Sequence, residues 1–127
     1  MEINARLAGG MIPELIRLAT GADVLTDQIR VAARLPVAGA APATRHAGIR
    51  FLVADTAGTM AGVSGVDAAR AVPGVTSVTV TAAPGQAVRP PRNAYDRLGY
   101  VIAAGESPGA VRSALDAALA HLRLEIE

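Results

Sequence analysis

The stretch RLGYVIAAGESPGAVRSALDAALAHLRLEI, residues 97–126, constrains the fold more than any other part of the chain. Its apolar opening, Leu98 to Ala104, is bounded by Gly105 and is short enough to read as a strand. Ser107 then stands where a helix N-cap belongs and Pro108 fits the first turn, because its missing N–H would have no partner there. Val111, Leu115, Ala118, Leu119 and Leu122 follow at helical spacing and form one apolar stripe. RLEIE closes the chain with strand alternation. A strand, a one-faced helix and a second strand imply that the helix lies on a sheet. The expected fold class is α+β, an antiparallel sheet with helices packed on one face.

The core of such a domain must be aliphatic. Hydrophobic residues make up 51% of the 127, but the aromatic ones are only Phe51, Tyr95 and Tyr100. The net charge is +1, and all twelve basic residues are arginines without a run. Nucleic-acid binding is therefore disfavoured, since tracking phosphates needs a clustered basic stripe and stacking needs aromatics. With no cysteine there is no disulfide, thiolate metal site or thiol nucleophile. No apolar run approaches the ~20 residues of a membrane span, and no secretory leader pattern opens the chain, so a cytoplasmic protein is expected. Abundant Ala, Gly and Arg without Lys match GC-rich bacterial coding.

Before the terminal unit the chain divides in two. Pro13 and Gly21 bracket a first helix, and Asp23 caps a second expected to bury Val24, Leu25, Ile29 and Ala32 before Pro36. The segment 37–47 is aperiodic, rich in small residues and proline, and reads as a linker between residues 1–36 and a domain over 48–127. In that domain IRFLVADTAGTMAGVSG is expected to form a hairpin bending at DTAG, with a short helix over 66–71. GVTSVTVTA alternates as a strand with one phase slip at Thr76–Ser77. The polar, proline-rich APGQAVRPPRNAYDR is a loop.

Two places gather chemistry. MEINAR reads as a strand, which sends Glu2, Asn4 and Arg6 to one side: a carboxylate, an amide and a guanidinium together. The loop gathers Arg89, Arg92, Tyr95, Asp96 and Arg97, either an anion or substrate contact or a surface connection held by Arg–Asp pairs. The two histidines carry less. His46 falls in the linker, and His121 lies off the apolar stripe near the end of its helix. Gly9–Gly10 fits a turn better than a phosphate loop.

Together EINAR, LAGG, ATGAD and the tail from Arg97 resemble the carboxy-terminal part of ATP-grasp carboxylate–amine ligases, in particular the L-amino-acid-ligase-like branch. The resemblance makes residues 1–36 the end of a catalytic core and 48–127 a small final domain. It implies that Glu2 and Asn4 ligate magnesium beside the ATP phosphates while Arg6 contacts a phosphoryl group. Hard oxygen ligands and a forked guanidinium suit those tasks. The family's phosphate-binding lysines have no counterpart, because the chain contains no Lys. The expectation is no cofactor in the isolated chain, with Mg and ATP bound only when a partner supplies the rest of the site.

Three functions follow. The first is the C-terminal portion or small subunit of such a ligase, paired with a partner ATP-grasp chain. The second is a stand-alone descendant working without ATP as a cyclase or isomerase; Met1 as a plausible start speaks for it. Its catalytic groups would be Glu2, Arg6, Tyr95 and Asp96, with Asn4 and Arg92 binding a small-molecule substrate. The third is a structural module that dimerises with its own copy through exposed strand edges. No nucleic-acid or membrane partner is expected.

Overall fold

The computed structural model describes residues 6–37, 42–43 and 45–127. Its sheets and helices make an α+β fold, and the C-terminal helix organises it. This helix, α4 (Pro108–His121), is capped at Ser107, whose side chain accepts from the Ala110 amide at 3.1 Å. It turns Val111, Ala114, Leu115 and Ala118 inward onto an antiparallel sheet ordered β1–β5–β3. These strands are β1 (His46–Leu52), β3 (Val75–Val80) and the central β5 (Gly99–Gly105). Val101 to Ala104 of β5 are all buried, as expected for a strand flanked on both edges and covered on both faces. The phase slip read at Thr76–Ser77 is present as a register shift between Val75 and Ser77.

A second sheet, ordered β4–β2–β6, consists of β2 (Gly58–Ser64), β4 (Ala87–Val88) and β6 (Arg123–Ile126). The expected hairpin over residues 49–65 does not form, because β1 pairs with β5 while β2 pairs with β4 and β6. Alternation alone fits a hairpin and two separate strands equally well. Here the apolar β5 needs a neighbour on each edge, and β1 supplies one, so the segment after Leu52 carries the chain across to the other sheet. The short helix α3 (Val66–Arg70) and α4 lie on the first sheet, and Leu52, Met60, Val78, Val88, Leu98 and Leu122 join both sheets in one core.

Residues before the linker form α1 (Ile12–Thr20), closed by Gly21 at φ 76°, and α2 (Val24–Ala32), capped by Asp23 through the Thr26 amide at 3.0 Å. α1 packs on β1 and β5, and its Ala19 carbonyl accepts from the Arg45 amide at 3.2 Å. The burial expected of α2 does not occur: Leu25 is 55% and Ile29 69% exposed, Ala32 is exposed, and only Val24 is partly covered. α2 leans chiefly on α1, so this face has nothing over it among the described residues.

Candidate functional site

Of the residues expected on the opening strand, Glu2 and Asn4 lie outside the described residues. Arg6 sits in an exposed bend, where its guanidinium donates to the Leu7 carbonyl at 3.3 Å. Three residues on, Gly9 and Gly10 form the turn into α1; the Ile12 amide donates to the Gly9 carbonyl at 3.3 Å. A side chain at Gly10 (φ 65°) would meet Arg97 Nη1 at 3.7 Å and Phe51 Cζ at 3.8 Å. The Arg97 guanidinium itself stacks on the Phe51 ring, 3.7 Å from its centroid. The turn after the opening segment therefore meets the end of the proline-rich loop.

That loop is tied by its own residues. Its one helical turn, Ala94–Asp96, carries a capping box: the Asn93 side chain accepts from the Tyr95 amide at 2.8 Å. Asp96 Oδ2 accepts from the Arg92 amide at 2.8 Å and the Asn93 amide at 3.3 Å, while Oδ1 accepts from Arg89 Nε at 3.1 Å. These donors, the Arg92 amide first and Arg89 after it, hold the Asp96 carboxyl below its ordinary range. At neutral pH it is a fixed anion with committed oxygens and no proton to give. Tyr95 is 95% exposed and Arg92 is exposed as well. The structure thus brings Arg92, Tyr95 and Asp96 together on one stiff loop, with Asp96 as its internal tie and the other two side chains displayed outward.

Sequence reasoning missed the stacking of Arg97 on Phe51, since residues 46 positions apart show no spacing that joins them. It also missed a cleft of about 630 Å³ beside Phe51, with Leu119 and Leu122 in its apolar lining and Asp55, Thr56 and Arg123 among its polar groups. Asp55 was concealed within the stretch that reads as a hairpin bend.

No group of three His, Asp or Glu side chains among the described residues could hold a metal ion, and the chain has no lysine for phosphates. No described helix is long and apolar enough to cross a membrane.

The profile of the family described as L-amino acid ligase C-terminal domain 2 matches residues 50–127. An uncharacterized protein, y4rH, of Sinorhizobium fredii is 36% identical over 107 residues, covering 84% of this chain and 22% of the relative. Two solved structures share the fold. Phosphoribosylglycinamide synthetase from Anaerococcus prevotii superposes with a TM-score of 0.79 at 13% identity, over 92% of this chain and 30% of that one. L-amino acid ligase from Bacillus licheniformis does so with a TM-score of 0.78 at 14% identity, over 91% and 29%. The chain spans about a fifth of the curated relative's length. It belongs to the L-amino acid ligase C-terminal domain 2 family and resembles the C-terminal part of ATP-grasp ligases.

Proposed function

We propose that this chain acts as the C-terminal portion of an ATP-grasp-type carboxylate–amine ligase, with the nucleotide-binding part contributed by a partner polypeptide. The uncovered apolar face of α2 carries this reading. Leu25 and Ile29, one helical turn apart, are exposed, as are Val31 at 59% and Leu35 at 58%. Exposed apolar surface of this kind marks a place where another surface belongs. The face lies in residues 6–37, outside the family profile's span, and the proteins that share the fold continue well beyond the shared portion. In such a complex Glu2, Asn4 and Arg6 would return to the metal and phosphoryl roles that the resemblance gives them, with the remaining ligands coming from the partner. Tyr95 and Arg92, displayed on a stiff loop, would meet the substrate or the partner.

A stand-alone cyclase or isomerase draws less support, because Asp96, which that reading needs for proton transfer, is spent on the loop's own amides. The test is reconstitution with the remainder of the Sinorhizobium fredii relative, expressed separately. ADP release with a mixture of amino acids should require both chains and should fall about tenfold or more with Leu25→Glu and Ile29→Glu together. Release that does not depend on adding this chain would overturn the proposal.

A further inference from the structure

β1 is an edge strand, since the sheet order is β1–β5–β3 and no backbone partner lies on its outer side among the described residues. Every second residue of such a strand turns its N–H and C=O away from the sheet. Here the outer edge borders a groove of about 230 Å³, walled by residues 46–50 on one side and by Pro108, Val111, Arg112 and Leu115 of α4 on the other.

Alternation decides which side chains enter it. A Cβ built on Gly48 would stand 2.9 Å from Val111 Cγ1 and 3.2 Å from Leu115 Cδ1, so position 48 faces α4. His46 and Arg50, two residues to either side, face the same way. Arg112 reaches the groove from the helix. The lining holds no carboxylate, and neither Arg50 nor Arg112 has an acidic partner within 4.0 Å among the described residues. The nearby Glu106 is engaged with Arg45 at 3.7 Å.

We propose that this groove takes up an extended acidic segment of a partner protein as a fourth strand, with acidic residues four apart opposite His46 and Arg50 and an apolar residue between them opposite Gly48. An added strand lies about 4.8 Å from β1, and its residues directly opposite 46, 48 and 50 are themselves two apart and on the α4 side. One flanking acid meets the Arg50 guanidinium and the other a ring N–H of His46, while the middle residue packs on the outer side of Val111 and Leu115, which themselves close directly over Gly48. A second copy of this chain suits the edge poorly. Antiparallel pairing of two β1 strands would bring both copies of Arg50 and Arg112 to one seam, and opposed like charges destabilise a strand pair. The inference stands apart from the ligase reading, which concerns α2 and the opening segment.

The probes are two labelled peptides of one composition, Thr-Glu-Thr-Val-Thr-Glu-Thr and Thr-Glu-Thr-Val-Glu-Thr-Thr, together with the lysine counterpart of the first. Binding to the full chain is followed by fluorescence anisotropy and by hydrogen exchange of the β1 amides. The first peptide should bind about tenfold tighter than the second, whose acids fall on opposite faces, and the lysine peptide should not bind. Arg50→Glu with Arg112→Glu, both at exposed positions, should weaken the first by about tenfold or more with the circular dichroism unchanged. N-methylating alternate peptide amides along one edge should abolish binding, and along the other edge should not, because only one edge meets β1. Alternate β1 amides should gain protection. Equal affinity for the two acidic isomers, absence of binding at millimolar peptide, or binding without β1 protection would overturn the proposal. So would β1 protection that rises with protein concentration alone, which would assign the edge to a second copy.

Discussion

Asp96 shows how an acidic residue in a site-like cluster becomes a structural one. Three donors converge on its two oxygens, and the charge that they favour is what closes the proline-rich loop. Since its pKa is lowered on folding, the stabilisation is fully present above the unfolded carboxylate's pKa, near 3.9. It is lost as pH falls through the lower, folded value. Asp96→Asn should therefore speed amide exchange at Arg92 and Asn93 at pH 7. The two proteins should converge in strongly acidic solution, as a pH series of exchange rates would show. Tyr95→Phe, at a side chain 95% exposed, should leave thermal stability unchanged, so that any effect in a reconstituted ligase assay reports contact with substrate or partner.

Among the elements, α4 and α2 have similar sequence credentials and opposite fates. Both have caps and apolar residues at helical spacing, but α4 meets a sheet while α2 meets little beyond α1. In the isolated chain Leu115→Ala should cost about 2–5 kcal/mol in urea denaturation, as a fully packed leucine does. Ile29→Ala, at a position 69% exposed, should cost less than about 0.5 kcal/mol. A comparable loss at both positions would mean that α2 is covered in solution by another copy. Gly65, at φ 80° before α3, marks a third kind of position: an alanine Cβ there would collide with the His121 carbonyl at the end of α4. Gly65→Ala should cost about 2 kcal/mol or more. The sequence announces such elements well where local chemistry decides. The Ser107 and Asp23 caps, the Thr76–Ser77 slip and the turn at Gly21 are local, and all are present. Strand partners and the burial of α2 depend on what stands across a gap, which spacing does not encode, so the hairpin over 49–65 and the core of α2 were misread. At the candidate site, the gathering of Arg92, Tyr95 and Asp96 was legible because they are near neighbours in sequence. The stacking of Arg97 on Phe51 was not.

At the scale of the whole molecule, a packed α+β unit carries a helical segment whose outer apolar face is exposed among the described residues. The ligase reading then makes a thermodynamic prediction. A ligand that binds only the folded chain adds stability by mass action: about 2.7 kcal/mol at a hundred times its Kd. For a domain of this size, 1 kcal/mol moves the melting temperature by roughly 4 °C, so a filled site would raise Tm by about 10 °C. Millimolar Mg–ATP should leave the Tm of the isolated chain within about 1 °C of its ligand-free value. It should raise the Tm of the complex with an ATP-grasp partner. The complex should also protect the α2 amides around Leu25 and Ile29 from exchange. These responses separate the two ideas joined in the reading. Protection of α2 without a nucleotide-dependent shift would support the docking face but deny the composite site. A magnesium-dependent shift of several degrees in the isolated chain would place a working nucleotide site on this polypeptide alone, and partner dependence would fall.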